Sequence, residues 1–280
     1  MLTFDLNVER KLKLGISTYS FPWAIGVAGF LPRHPMTAEA LINYAVRKKI
    51  SHVQFADNFP LHLLDDKELD HLKDLADNNH IQLETGTRRL TVDHILSYLA
   101  IARKLQSPFM RVVIDDQEFK PGADTIIDTI LELLPYLKEA GVILAIENHD
   151  RLGAAILEEI VLRTSTELVG ICLDTVNSVG ANEGLNQILP ILLPYTVNLH
   201  IKDFTVQRVP DKMGFVVKGA PAGEGMLAIP ELLESAKAFG KCRSATLEIW
   251  MDREKTIEET IAKEEQWVES SIDYLIKYIA

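Results

Sequence analysis

Eight short β-rich runs, each followed by a longer stretch of helical period, limit this chain's fold more than any other feature. The runs are LGISTYS (14–20), HVQFAD (52–57), IQLETG (81–86), FMRVVID (109–115), VILAIEN (142–148), GICLDT (170–175), VNLHIK (197–202) and ATLEIW (245–250). Amphipathic stretches lie between them, near 37–49, 66–78, 91–105, 122–140, 153–165, 184–193 and 229–239, and a last one covers 255–279. Switching between the two periods in this way reads as strand followed by helix. Eight such units are the count of a (β/α)8 TIM barrel, an α/β fold that takes about 250 residues as one domain. The 280 residues therefore read as a single domain, 1–280, without linker, low-complexity tract or close repeat.

Local punctuation supports this register. Thr91 and Asp93 are placed to cap the helix that follows them, and Pro121 and Gly122 precede the next long helix, which Gly141 ends. Pro135 inside that helix predicts a kink. A doubly wound open sheet explains the alternation equally well but needs no eighth strand. Its Gly-rich phosphate loop after the first strand is also missing, since the chain there reads STYSFPWAIG.

Composition narrows the function classes. Hydrophobic residues at 47% and charged residues at 25% exclude disorder, collagen-like structure and a disulfide scaffold as overall descriptions. A formal net charge of −11 argues against a non-specific grip on nucleic acid. No run of 18 apolar residues predicts a membrane span, and MLTFDLNVER is charged too early for a secretory signal. The two cysteines, Cys172 and Cys242, set no disulfide framework and fit a reducing, cytoplasmic compartment.

Polar residues collect at the ends of four runs. Glu147 ends the fifth, Asp174 ends the sixth, His200 lies in the seventh and Glu248 in the eighth. In a barrel those ends face the active site. A carboxylate inside an apolar run is costly unless it is paired, hydrogen-bonded or bound to a metal. Three carboxylates and an imidazole at equivalent depth make a site for one divalent cation, and the donor set suits Mn²⁺, Mg²⁺, Co²⁺ or Zn²⁺ alike. There is no CxxC or HExxH pattern to indicate structural zinc or a zincin. The chemistry that follows is polarisation of a carbonyl beside a hydroxyl, with carboxylates moving the proton. Glu147 and Glu248 are the candidates for that work.

The segments LAIENHD (144–150), ICLDTVNS (171–178), VNLHIKDF (197–204) and ATLEIW (245–250) resemble the xylose-isomerase-like barrel superfamily, within it the sugar isomerase and epimerase branch. The resemblance implies that Glu147, Asp174, His200 and Glu248 are metal ligands. It also implies that Glu147 and Glu248 act as proton acceptor and donor on opposite faces of an enediolate, as in ketose 3-epimerases. Those epimerases carry a histidine three residues after the strand-six aspartate, where this chain has Asn177. That departure puts 3-epimerisation of a free ketose in doubt but leaves the metal site intact. The superfamily also holds abasic-site endonucleases, with three zinc ions, more histidines and a basic surface. The 8 histidines and the acidic charge here argue against that branch, and His52, His62, His71, His80 and His94 are expected to form no second cluster.

The segment 202–227, KDFTVQRVPDKMGFVVKGAPAGEGML, is long for a loop and carries Lys202, Arg208, Lys212 and Lys218. It reads as a lid whose GAPAGEG stretch is flexible. Cations there match a substrate carboxylate or phosphate, with Arg208 and Lys218 favoured, and solvated cations balancing surface acids are the plain alternative. This loop together with LEIW is also similar to 3-oxo-isoapionate decarboxylases of the same superfamily, which implies loss of carbon dioxide from a 3-keto sugar acid. Isomerase, decarboxylase and keto-acid or keto-inositol dehydratase thus stay open as readings of one metal-stabilised enolate chemistry. The candidate substrate-binding residues are Arg208, Lys218, Asn177, Lys202, His149 and Glu84. Asn148 and His149 are placed to orient ligands, and Glu84 to line the pocket or pair with Arg88 or Arg111. A non-enzymatic barrel would have lost one of the four metal candidates, and none is lost. The expected partner is a small sugar or sugar acid, with no nucleic acid and no membrane. The long amphipathic helix at 255–279 leaves a homo-oligomer open.

Overall fold

Gly15 pairs with His52 on one side and with Thr246 on the other, so the first strand joins the second to the last and the sheet closes. The computed structural model describes residues 12–279, and the segment argued above to be no signal peptide, residues 1–10, lies outside them. Ten strands occur among the described residues. β1 (Lys13–Ser17), β2 (His52–Phe55), β3 (Gln82–Arg88), β4 (Phe109–Val113), β5 (Ile143–Glu147), β6 (Val169–Asp174), β7 (Thr196–Ile201) and β10 (Ser244–Leu247) form the parallel closed barrel. β8 (Asp203–Arg208) and β9 (Phe215–Ala220) form an antiparallel hairpin inserted after β7. The segment read as a flexible lid is therefore built structure. FTVQR and FVVKGA alternate across a turn at Pro210–Gly214, which a hairpin requires.

GAPAGEG is pinned as well. The buried Asp203 carboxylate accepts the N–H groups of Gly223 and Gly225 on Oδ2, at 2.9 and 3.0 Å, and those of Phe204 and Leu227 on Oδ1, at 2.8 and 3.0 Å. A Cβ on Gly225 would lie 2.1 Å from Asp203 Oδ1, so this approach needs glycine.

The α-helices among the described residues are α1 (Pro22–Ile25), α2 (Ala38–Lys48), α3 (Asp66–Asn78), α4 (Val92–Lys104), α5 (Ala123–Ala140), α6 (Ala154–Thr164), α7 (Leu185–Leu192), α8 (Ile229–Phe239) and α9 (Ile257–Leu275). In α5, Ile126, Ile130, Leu133 and Leu137 recur at helical spacing on the buried face. Gly141 ends it in the left-handed region, at φ 67°. Pro135 does not interrupt it. Thr91 stands at the N-cap of α4, but its side chain makes no capping bond there.

Strand alternation sorts the barrel residues into two populations. Val53, Phe55, Leu83, Met110, Val112, Leu144, Ile146, Ile171, Leu173, Leu199, Ile201, Ala245 and Leu247 join the apolar core with the helices. The alternate residues are largely polar and equally buried: Gln54, Glu84, Arg111, Glu147, Asp174, Asn198, His200 and Thr246 are all at most 2% exposed. A buried polar interior of this kind must be hydrogen-bonded, and that requirement shapes the site.

Candidate active site

Glu147 and Asp174 are the last residues of β5 and β6, and His200 is the penultimate residue of β7. Glu248 stands one residue beyond β10, not within it, and two beyond Thr246, which pairs with His200. The barrel brings all four together. His200 Nδ1 lies 3.3 Å from Glu248 Oε1, 3.7 Å from Glu147 Oε2 and 3.9 Å from Asp174 Oδ2. Ligand atoms of Asp174, His200 and Glu248 fall within 4.8 Å of one another.

Three of the inward atoms, Asp174 Oδ2, His200 Nδ1 and Glu248 Oε2, have no hydrogen bond among the described residues. An unsatisfied buried polar atom costs about 1–3 kcal/mol. Three converging on one space fit a ligand that satisfies them together, and oxygen and imidazole donors suit a divalent cation. Lys202 Nζ approaches Asp174 Oδ2 and Glu248 Oε2 at 2.9 Å each, as an ion pair outside good hydrogen-bond directions. Burial disfavours its charge, but Asp174, Glu248 and Glu147 outweigh that and hold the ammonium well above its usual range.

The two glutamates differ. Both oxygens of Glu147 are engaged: Asn177 Nδ2 donates to Oε1 at 2.7 Å, and Arg111 Nε donates to Oε2. Burial pushes the Glu147 carboxyl up, but Arg111, His200 and Lys202 prevail and hold it down at about 2. Glu248 accepts one hydroxyl, from Ser17 to Oε1 at 3.1 Å, and its Oε2 faces the cluster without a hydrogen bond. Arg111 also bonds Asp57, which Arg88 Nε holds from the other side at 3.0 Å. Burial opposes the charge on Asp57, and these two guanidinium groups depress its carboxyl far below the usual range.

A family model for the xylose isomerase-like TIM barrel matches residues 64–278. The chain belongs to the xylose isomerase-like TIM barrel family. Within that family it is similar to the 3-oxo-isoapionate decarboxylase of Pectobacterium atrosepticum, with 29% identity over 94% of this chain and 95% of the relative. The fold is shared with D-psicose 3-epimerase from Clostridium cellulolyticum H10, solved with D-tagatose, at a TM-score of 0.72 and 15% identity over 96% of this chain and 99% of the other. It is also shared with a Mycobacterium smegmatis xylose isomerase-like barrel protein in complex with magnesium, at a TM-score of 0.64 and 14% identity over 95% and 99% of the two chains.

Not every residue singled out in this xylose isomerase-like barrel reaches the cluster. Lys202 and Asn177 do. Arg208 turns to its own hairpin: its guanidinium stacks 4.4 Å from the Phe215 ring centroid and donates to the Lys212 carbonyl, in solvent. Lys218 is 43% exposed and pairs with Asp252. His149 pairs with Asp150 at 2.9 Å. Glu84 pairs with neither Arg88 nor Arg111. It is fully buried inside the barrel, accepts from Gln54 Nε2 at 3.3 Å, and burial pushes its carboxyl up to about 7. Asn148 grips the end of β6, accepting from Asp174 N at 2.7 Å and donating to Asp174 O at 2.9 Å.

Sequence reasoning missed Asp57, Gln54 and Asn198. The signal for each was a polar residue among apolar ones, in HVQFAD and VNLHIK. His62 and His94 pack together, with ring centroids 5.7 Å apart against Tyr98. No third His, Cys, Asp or Glu completes a ligand set with them among the described residues.

Proposed function

We propose that this chain is a divalent-metal-dependent carbon–carbon lyase that removes carbon dioxide from a small 3-keto sugar acid. Glu147, Asp174, His200 and Glu248 would hold one cation, Mn²⁺, Mg²⁺, Co²⁺ or Zn²⁺. When bound, such an ion supplies Lewis-acid charge where an enolate develops.

The observation that carries the reading is the inequality of the glutamates. Epimerisation at one carbon needs two groups free to exchange a proton. Glu147 has both oxygens occupied by Asn177 and Arg111, whereas Glu248 Oε2 makes no hydrogen bond and meets only the Lys202 ammonium, as an ion pair at 2.9 Å. Decarboxylation needs one proton-handling group. The bond between the carboxylate carbon and its neighbour breaks, the electron pair passes toward the adjacent keto group, and carbon dioxide leaves. Glu248 then delivers a proton, drawn from solvent, to the carbon that lost carbon dioxide. Lys202, the cation among the carboxylates, pairs with the substrate carboxylate and orients it. The similarity to a 3-oxo-isoapionate decarboxylase over nearly the whole chain supports the same reading.

Isomerisation or epimerisation of a small ketose is the second reading. It is favoured by the approach of both Glu147 and Glu248 to His200 Nδ1, and it requires Glu147 to release Asn177 or Arg111. Carbon-13 NMR of the Mg²⁺-loaded enzyme with a carboxyl-labelled 3-keto sugar acid separates the two, with an EDTA-treated control. Labelled bicarbonate that appears only with metal supports the lyase. Interconversion of neutral ketoses with no carbon lost would replace it by the second reading.

A further inference from the structure

We propose that a buried amide relay, Asn198 to Gln54, sets the tautomer of His200 and leaves Nδ1 as a bare lone pair facing the carboxylates. The consequence for metal affinity rests on the metal-site reading above; the tautomer itself does not.

The direction of the relay follows from what each atom is able to donate. The Ser244 main-chain carbonyl can only accept, and Asn198 Nδ2 lies 3.3 Å from it, 2.8 Å from Ser244 Oγ and 3.0 Å from Thr246 Oγ1. The amino end of Asn198 therefore faces β10, and its Oδ1 faces into the barrel as an acceptor. Two donors meet that oxygen: the Cys172 thiol at 3.1 Å and Gln54 Nε2 at 3.1 Å. Gln54 Nε2 spends its second hydrogen on Glu84 Oε2 at 3.3 Å. Flipping the Gln54 amide would set its carbonyl against the Asn198 oxygen and the Glu84 carboxylate, so Oε1 must point the other way. There it meets His200 Nε2 at 2.8 Å.

An acceptor at that distance requires Nε2–H. The proton of the neutral ring is then on Nε2, and Nδ1 carries a lone pair toward Glu147, Asp174 and Glu248. Without the relay Nε2 has no acceptor, and Nδ1, 3.3 Å from Glu248 Oε1, is the better-placed donor. Gln54, Asn198 and His200 are each 0% exposed, so water does not compete for these bonds. Gln54 and Asn198 are thus positioning residues: they act through His200 and hold it ready to bind a cation. Partners of this kind change metal affinity by about 10- to 100-fold when removed.

The test is ¹⁵N–¹H NMR of the EDTA-treated, histidine-labelled full chain at alkaline pH, with the His200 signals assigned by their loss in His200→Gln. The wild-type chain is expected to show protonated Nε2 and bare Nδ1. A wild-type Nδ1–H tautomer overturns the proposal, and that result needs no variant. In Gln54→Met, which keeps side-chain length without the amide, the Nδ1–H form is expected to appear while the melting curve remains cooperative. Mn²⁺ affinity, measured by calorimetry, is expected to fall about 10- to 100-fold in the same variant. An unchanged tautomer in a folded Gln54→Met chain also overturns the proposal. The expected tautomer in a wild-type chain that binds no metal supports the relay and removes the metal reading instead.

Discussion

Lys202 Nζ lies 2.9 Å from Glu248 Oε2, placing an ammonium where Glu147, Asp174, His200 and Glu248 converge. The same space is asked to hold a cation during turnover, so lysine and metal compete for the carboxylates. Lys202→Met is expected to lower the melting temperature of the EDTA-treated chain, because removing one partner of a buried ion pair costs about 3–5 kcal/mol. Added Mn²⁺ should restore it. The variant should also raise KM for an acid substrate on the order of tenfold while a neutral ketose is unaffected. Equal effects on both substrates would remove Lys202 from the substrate carboxylate.

Glu248, whose Oε2 makes no hydrogen bond and meets only the Lys202 ion pair, is assigned the proton in the proposed reaction. Glu248→Gln is expected to lower turnover by about 10²- to 10⁴-fold with an unchanged circular dichroism spectrum. Near-normal turnover would sink the assignment.

Arg208 is one of the two loop cations that the sequence favours, with Lys218, and its stacking on Phe215 in solvent takes it out of the cluster. Arg208→Ala is therefore expected to leave KM for an acid substrate within about twofold, and stability within about 0.5 kcal/mol. A selective rise in KM for the acid would return the loop cation to the site.

Glu84 sets a pH dependence of stability. Its carboxyl is pushed by burial from the ordinary 4.5 up to about 7, so between those values the folded chain holds a proton that the unfolded chain has lost. Folding then binds a proton, and stability falls as pH rises through this window. The loss through this residue is about 3 kcal/mol, complete above the folded value. Glu84→Gln is expected to flatten that slope in denaturant melts at stepped pH. A wild-type slope unchanged in the variant would assign it to another group, such as Glu264, which burial also pushes up to about 7.

The architecture was legible because periodicity is local: each β-rich run and its helix declares itself within a dozen residues. The strand-end cluster was legible for the same reason, since Glu147, Asp174 and His200 interrupt apolar runs at matching depth. Glu248 fell outside its strand because β10 stops at Leu247, a boundary that the sequence leaves open. The hairpin was readable in FTVQR and FVVKGA, but a long cationic segment invited a lid reading. What sequence could not decide was the direction of the cations. Arg208, Lys218 and Lys202 have similar local settings, and the choice among them depends on Phe215, Asp252 and the carboxylates, which meet them only after folding. Asp57 was missed because its role exists only opposite Arg88 and Arg111.

The central claim is that Glu147, Asp174, His200 and Glu248 hold one catalytic divalent ion, and a calorimetric titration of the EDTA-treated chain with Mn²⁺ tests it most directly. A single saturable ion per chain is expected, lost in Asp174→Asn, with turnover of a 3-keto sugar acid returning in step with occupancy. Full turnover in the EDTA-treated chain, with no Mn²⁺ bound, would contradict the account.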